Sequence, residues 1–137
     1  ADTITVLDAE TFEKIREIPS KSFPIRATAT PGGMVLVTRA RSGDLAIYDE
    51  ETLEEVLIVE FDLRSMDVEE RLFGDRFGDS SVPIGVIVNG KGDHAFVAHA
   101  NADVITEIDL ETGTIVRTLR AGKEPDGMGF SPLSVRR

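Results

Sequence analysis

Residues 104–112, Val-Ile-Thr-Glu-Ile-Asp-Leu-Glu-Thr, form a short apolar strand pattern that ends in Asp109 and is followed three positions later by Thr112. The same pattern occurs in residues 3–11 and in residues 45–52. Aspartate in the first position of a tight turn accepts hydrogen bonds from backbone N–H groups, so its recurrence has a structural reason. A pattern that returns along one chain indicates a repeat architecture.

A second landmark is a proline that opens a strand, at Pro24, Pro83 and Pro125. It follows the turn aspartate by 16 residues in the first and third repeats and by 34, 18 more, in the second. The second repeat therefore carries an insertion, which we place at 62–81. Apolar residues in the insertion recur every three or four positions, which predicts a short amphipathic helix that Gly74 or another nearby glycine would end.

Each repeat contains further strand patterns between these landmarks. Stretches of alternating polar and apolar residues follow the Asp turns, and apolar residues on the proline-led strands share one face. The segments concerned are 13–18, 25–29, 35–38, 54–60, 84–88, 95–98, 115–119 and 125–130. Four strands per unit and a repeat of roughly 42 residues are typical of a β-propeller blade.

The predicted fold is therefore all-β, a single partial β-propeller over residues 1–137. It would contain roughly three four-stranded antiparallel blades, about eleven strands in all, with one short helical insertion at 62–81. Three blades cannot close around a central channel, so strand edges would be open at both ends. The propeller ring could be completed in two ways. One is the remaining blades of a longer parent of roughly six to eight blades, which we favour. The other is a second copy in a head-to-tail dimer, with 133–137 as the missing strand.

These repeats resemble the YVTN-type β-propeller repeat family. That family has a proline-led strand, a glycine turn, a Tyr-Val-Thr-Asn strand, and a Val-x-Val-Ile-Asp strand followed by threonine. Here the name-giving strand corresponds to 36–39 and 96–99, and the Asp-ending strand to 4–8, 45–49 and 105–109. The resemblance covers nearly the whole chain outside the insertion. Arg39 and His99 depart from the family's asparagine. The resemblance implies a prokaryotic protein of the periplasm or cell surface, while the composition is equally compatible with the cytoplasm.

Composition argues against several classes of partner and site. The formal net charge is −10, and no local stripe of lysine and arginine offsets it, which disfavours nucleic acid as a partner. No apolar run approaches the roughly 20 residues of a membrane span. The chain contains no cysteine, which excludes disulfides, thiolate metal sites and a cysteine nucleophile.

No catalytic residue, metal site or cofactor is predicted. Residues 85–92 resemble a phosphate-binding loop, but Gly92 stands where a serine or threonine would hold magnesium. His94 and His99 lie five residues apart on one strand and point to opposite faces, so they cannot chelate one ion. The serines lack the glycines of a nucleophile elbow.

We expect a working face at the strand ends nearest the insertion. Arg39 and His99 occupy equivalent positions in successive repeats, and Arg26 lies on the small-residue face of an inner strand. The predicted ligand-binding residues are Arg26, Arg39, His99 and Asn101. The predicted partner-binding residues are Met66, Phe73 and Phe77.

The function predicted from these features is a non-enzymatic scaffold that binds a small ligand or a protein. Two alternatives remain, because one fold supports many functions. Similar propellers form the bodies of haem- or quinone-dependent oxidoreductases and of lactonase-like enzymes. A surface-layer or adhesive repeat protein would instead multimerise through its edge strands.

Overall fold

The computed structural model describes residues 2–65 and 70–134. Its ten strands form three antiparallel sheets, with the orders β1-β2, β3-β4-β5-β6 and β7-β8-β9-β10. The strand bounds are β1 Thr3–Leu7, β2 Lys14–Pro19, β3 Pro24–Ala29, β4 Met34–Arg39, β5 Asp44–Asp49, β6 Glu55–Glu60, β7 Pro83–Val88, β8 His94–His99, β9 Val104–Asp109 and β10 Thr114–Arg120. We call these sheets the half-blade (β1–β2), the middle blade (β3–β6) and the end blade (β7–β10).

One turn recurs at the last hairpin of each sheet. The Oδ1 atom of Asp8, Asp49 or Asp109 accepts the N–H groups two and three residues later, at 2.8–3.0 Å. These hydrogen bonds lower the pKa of all three carboxyls. The fifth residue of each turn donates its N–H to the aspartate carbonyl at 2.9 Å and has a left-handed φ of 60–68°. Those residues are Phe12, Leu53 and Gly113. The predicted structural role of the aspartates is confirmed.

The sheets pack face to face, so β4, β5 and β8 are largely buried, whereas β10 is exposed along its whole length. Between the middle and end blades the core contains Leu36, Leu45, Ile47, Val59, Val86, Val97 and Ile108. A smaller core joins the half-blade to the middle blade through Ile4, Ile18, Val37, Ala46 and Tyr48. Thr38 Oγ1 also donates to the carbonyl of Ile84 at 2.8 Å, which ties the inner halves of two blades together. The all-β propeller architecture is thus confirmed.

The residue before each strand-opening proline also has a repeated backbone conformation, and we call this position the corner. Phe23, Val82 and Glu124 have left-handed φ values of 64°, 54° and 55°. The Phe23 carbonyl accepts the N–H of Ala40 at 3.0 Å, and the Val82 carbonyl accepts that of Ala100 at the same distance. The chain therefore crosses from blade to blade with one repeated geometry.

The predicted eleventh strand, 125–130, is not formed, because no described residue pairs with it in a β-ladder. The segment nevertheless runs beside β7. The Asp126 carbonyl lies against Gly85, and the Phe130 ring lies against Gly90. It therefore occupies the place of an inner strand of a further blade.

The helix predicted in the insertion does not extend through 71–79, which form successive bends and turns; Glu70 lies in a 3-10 turn, and 66–69 lie outside the described residues. Gly74 and Gly78 adopt φ values of 50° and 60°, outside the right-handed helical region. Their N–H groups donate to carbonyls three residues earlier, at 3.0 and 2.9 Å. A bridge between Arg64 and Ser80 brings the two ends of the insertion together. Met66 lies outside the described residues.

Candidate functional site

The insertion covers one end of the middle and end blades. Ser80 Oγ donates to the carbonyl of Ala40, just after β4, at 2.5 Å. Arg71 Nη1 donates to the carbonyl of Ala100, just after β8, at 3.1 Å. We call the surface formed by the insertion and these strand ends the insertion face. It corresponds to the working face expected from the sequence.

Arg39 lies buried at the end of β4 and forms two ion pairs. Its Nε and Nη2 donate to the two carboxylate oxygens of Asp44 at 2.6 and 2.9 Å. Its Nη1 donates to Glu55 Oε2 at 2.8 Å, and the Tyr48 hydroxyl donates to the same oxygen at 3.4 Å. The hydrogen bonds to Asp44 raise the pKa of the guanidinium. Arg39 therefore ties β4, β5 and β6 together as a permanent cation.

His99 occupies the equivalent position on β8 and is fully buried. Its Nδ1 lies 2.9 Å from Ser81 Oγ and its Nε2 lies 2.9 Å from Thr106 Oγ1. The Phe61 ring packs edge-on against it, with centroids 4.5 Å apart. Burial lowers the pKa of His99 from 6.5 to about 3. The imidazole is therefore neutral at physiological pH, donating through one nitrogen and accepting through the other.

Arg39 and His99 thus stand at equivalent strand ends, but Arg39 pairs with carboxylates whereas His99 bonds to hydroxyl groups. Asn101 is also buried; its Nδ2 donates to the Gly74 carbonyl at 3.2 Å, while its Oδ1 has no hydrogen-bond partner among the described residues. Arg26 differs from the other three because its side chain is 55% exposed, 3.6 Å from the Asp126 carboxylate. A ligand-binding role for these four residues stays a prediction.

Two of the predicted partner-binding residues pack inward. Phe77 is buried and contacts Phe23 edge-on at 5.1 Å, and Phe73 is partly buried beside Phe77. The guanidinium of Arg76 lies 5.3 Å from the Phe23 ring centre. These contacts attach the insertion to the blades. Partner binding through Phe73 and Phe77 also stays a prediction.

Sequence reasoning missed a polar cluster beneath the insertion. Buried Arg71 forms a bidentate ion pair with Asp103, in the turn between β8 and β9. Asp103 also accepts the N–H of Glu124 at 2.9 Å, and the Glu124 carboxylate accepts the N–H of Leu72 at 2.5 Å. The hydrogen bond from Arg71 lowers the pKa of Asp103 to about 2. We call this set the corner latch, because it holds the residue that precedes Pro125.

A repeat alignment could have found part of this latch. Asp2 and Asp103 both stand six residues before a turn aspartate. Each accepts the N–H of the residue before the next strand-opening proline, at 3.0 Å from Phe23 and 2.9 Å from Glu124. The aspartate is therefore a repeated corner residue, whereas its partner Arg71 comes from the insertion and has no repeat.

A cavity of about 390 Å³ lies on the insertion face, between the β4–β5 turn and the insertion. Apolar side chains of Phe61, Leu63 and Phe77 line part of it, and Arg41 and Arg64 add positive charge. Arg64 pairs with Asp79 at 3.4 Å. The Arg41 guanidinium makes no ion pair or side-chain hydrogen bond within 2–65 and 70–134. The lining is mainly polar: Asp62 and Asp79 bring two carboxylates to it, and Arg41 is the cation with no partner among the described residues.

Within the same described ranges, no group of three or more histidine, aspartate or glutamate side chains is arranged to hold a metal ion. Nor does that part of the chain contain a helix with the length and apolar character of a bilayer span.

No family model and no curated protein matches the sequence. The chain is similar in structure to hydrazine synthase from Kuenenia stuttgartiensis, with a TM-score of 0.74 and 20% identity, over 92% of this chain and 32% of that one. It is also similar to dihydro-heme d1 dehydrogenase NirN in complex with DHE, with a TM-score of 0.60 and 19% identity, over 86% of this chain and 22% of that one. The chain thus spans a third or less of these β-propeller proteins, and at this identity the likeness establishes the fold alone.

Proposed function

We propose that this chain is a non-enzymatic β-propeller scaffold that binds a small ligand or a protein on its insertion face. The scaffold is part of a larger or oligomeric propeller of the YVTN type and works outside the cytoplasm, in the periplasm or at the cell surface. The observation that carries the binding role is the cavity beside the insertion, where the Arg41 guanidinium has no partner among the described residues.

That chemistry suits a small organic anion with an apolar body. A carboxylate would pair with the Arg41 guanidinium in a charge-assisted hydrogen bond. Phe61 and Phe77 are buried, so the apolar part would lie chiefly on partly exposed Leu63, and the pair with Arg41 would supply most of the affinity. Arg26 is the sequence-predicted residue whose charge is most accessible, so we propose it as a second, outlying contact.

Titration calorimetry with 1-naphthoate, an aromatic carboxylate, tests this proposal. We expect saturable binding that Arg41→Ala weakens at least about tenfold, a loss of about 1.4 kcal/mol. Arg120→Ala removes another exposed arginine, on β10, and should leave the affinity unchanged. Arg26→Ala measures the second contact separately. The proposal would be abandoned if 1-naphthoate does not bind saturably, or if the Arg41 and Arg120 variants bind it equally well.

A second candidate is the propeller of an oxidoreductase. It is favoured by one observation: one of the two similar structures is named as a dehydrogenase, which is a redox enzyme. The visible absorption spectrum and metal content of the protein purified from its natural source distinguish the two candidates. A haem band or stoichiometric metal would favour the enzyme, and their absence would favour the scaffold.

A further inference from the structure

The outermost strand of the middle blade, β6, has a free backbone edge. β6 is the last strand in the order β3-β4-β5-β6, so it pairs with β5 on one side and with no described strand on the other. The two faces of this blade are covered within the chain, one by the half-blade and one by the end blade. Further blades of a propeller would stack on the outer faces of those neighbours. The free edge therefore belongs to the middle blade itself and not to either end of the blade stack.

Three consecutive apolar side chains are exposed along this strand. Val56 is 58% exposed, Leu57 36% and Ile58 42%, whereas the next residue, Val59, is buried in the core. Leu57 also contacts the end blade, because a Cβ added to Gly113 would lie 2.7 Å from its Cδ2 atom. Val56 and Ile58 therefore contribute most of the uncovered apolar surface. An exposed apolar run on an edge strand favours pairing with another strand.

The equivalent strands of the other two blades are protected against such pairing. Charged side chains inside an edge strand, lysine above all, and proline hinder the addition of another strand. β2 reads Lys-Ile-Arg-Glu-Ile-Pro and β10 reads Thr-Ile-Val-Arg-Thr-Leu-Arg, whereas β6 reads Glu-Val-Leu-Ile-Val-Glu, with charges only at its two ends. Ile58 stands where β2 has Glu17 and β10 has Thr118. All three strands have a bulge seven residues after the turn aspartate, so the bulge does not distinguish β6.

Acidic residues at both ends of β6 indicate the charge of the partner. Glu54 and Glu60 are exposed, one just before the strand and one at its end. A second copy that paired through its own β6 would bring these acids opposite the same acids of the first copy, and like charges facing each other across strands are destabilising. A strand with lysine or arginine at its ends would form ion pairs instead. The net charge of −10 also attracts a basic segment over longer distances.

We propose that β6 docks an extended segment of another protein, which adds to the middle blade as a fifth strand. Apolar side chains of the segment cover Val56 and Ile58, and lysine or arginine at its two ends pairs with Glu54 and Glu60. Backbone hydrogen bonds to the free edge supply affinity, and the side-chain contacts supply specificity. This surface lies outside the insertion face, so the inference goes beyond the proposed ligand site.

Fluorescence anisotropy with the labelled peptide Lys-Lys-Val-Thr-Val-Thr-Val-Lys-Lys tests the docking surface. We expect saturable binding that Ile58→Lys weakens at least about tenfold, because it places a charge inside the edge. Thr118→Lys changes the equivalent exposed residue on β10 and should leave the affinity unchanged. A peptide with glutamate in place of its lysines should not bind. The proposal would be overturned by a lack of saturable binding, by equal affinity of the two variants, or by equal binding of the glutamate peptide.

Modified peptides test backbone pairing without any change to the protein. Methylation of alternate backbone nitrogens removes the donors along one edge of an extended peptide, and methylation of the other alternate set removes those along the opposite edge. Only one edge of an added strand faces β6. We therefore expect one methylated peptide to lose binding and the other to retain it. Equal affinities of the two methylated peptides would show that no strand is added.

Amide hydrogen exchange on the protein purified from its natural source, free of other proteins, tests what occupies the edge. We expect the outward-facing amides of 56–60 to exchange rapidly and to slow when the lysine peptide is added. Slow exchange before the peptide is added would mean that a second copy or another part of the natural chain already covers β6, and would overturn the proposal. Ile58→Lys should leave 1-naphthoate binding unchanged, so failure of peptide docking and failure of the insertion-face site give separate results.

Discussion

The carbonyl oxygen of Asp126 lies in the space that a side chain at Gly85 would fill. A Cβ added to Gly85 would be 1.9 Å from that oxygen and 3.0 Å from the carbonyl carbon. Gly85 has no left-handed φ, so glycine is required here by the close approach of the two backbones. The absence of one side chain on β7 allows the segment after Pro125 to lie along it.

Gly85→Ala should therefore displace segment 125–130 and lower the free energy of unfolding by about 1–3 kcal/mol, the usual cost of overpacking. Gly127→Ala is the matched control, because an added Cβ there meets nothing within 4 Å. Urea denaturation of the two variants measures the difference. Equal stability of both variants would show that Asp126 is not held against Gly85 in solution.

The corner latch predicts an acid-dependent contribution to stability. Asp103 has a folded pKa of about 2 against a usual 3.8, so its ion pair with Arg71 stabilises the fold above pH 3.8. That contribution is lost as the pH falls from 3.8 toward 2, because the unfolded state takes up the proton first.

Asp103→Asn should lower the free energy of unfolding at pH 7 by about 1–3 kcal/mol, since buried Arg71 loses this carboxylate. Asparagine tolerates the left-handed φ of 55° at this position, so backbone strain is not added. Denaturant unfolding between pH 7 and pH 2 should also show a shallower acid dependence than the unmodified chain. A variant with unchanged stability and pH dependence would contradict the latch.

The buried His99 predicts that the free energy of unfolding also depends on pH in a higher range than Asp103 affects. Its folded pKa of about 3 lies below the usual 6.5, so the unfolded chain binds a proton first as the pH falls. Stability should therefore be full above pH 6.5 and decline as the pH falls from 6.5 toward 3. His99→Gln removes this titration and should flatten the unfolding free energy between pH 6.5 and 4. The unmodified chain is the reference. A variant slope equal to that of the unmodified chain would mean that His99 is not buried in its neutral form.

The two arginines predicted as ligand contacts should differ greatly in their effect on stability. Arg39→Ala leaves the buried Asp44 carboxylate unpaired and should cost about 3–5 kcal/mol. Arg26→Ala removes an exposed pair with Asp126 at 3.6 Å and should cost less than about 1 kcal/mol. Thermal unfolding compares the two. If Arg39→Ala changes the thermal stability little, the charge is not needed for the fold, and that result would support a direct ligand-binding role for Arg39.

The parts of the fold that depend on local residues were predictable from sequence. Each Asp turn is closed by hydrogen bonds within five residues of the chain. The insertion was not predictable in this way. Its apolar spacing matches a helix, but Phe73 and Phe77 are held by tertiary packing and the two glycines interrupt the helical backbone.

The burial, protonation and ion pairing of the candidate site residues depend on contacts that are distant in sequence. His99 is neutral and enclosed because Ser81, 18 residues away, and Phe61 surround it. Arg71 meets Asp103 across 32 residues, through an insertion that has no counterpart in the other repeats. Neither set of contacts is visible in a short stretch of sequence. The repeat pattern can therefore locate His99 and Asp103 but cannot identify their partners.

The repeated corner before each proline has a practical consequence for the length of the molecule. The residues at 23, 82 and 124 share one backbone conformation, and the corners at 23 and 82 make matching hydrogen bonds to the strand ends. Cuts placed between 23 and 24 and between 82 and 83 therefore delimit an interchangeable unit. A chain lengthened or shortened by that unit would keep the same corner backbone at each junction. The ion pair of Arg71 with Asp103 would not be repeated, because Gly43 stands at the position of Asp103 in that unit.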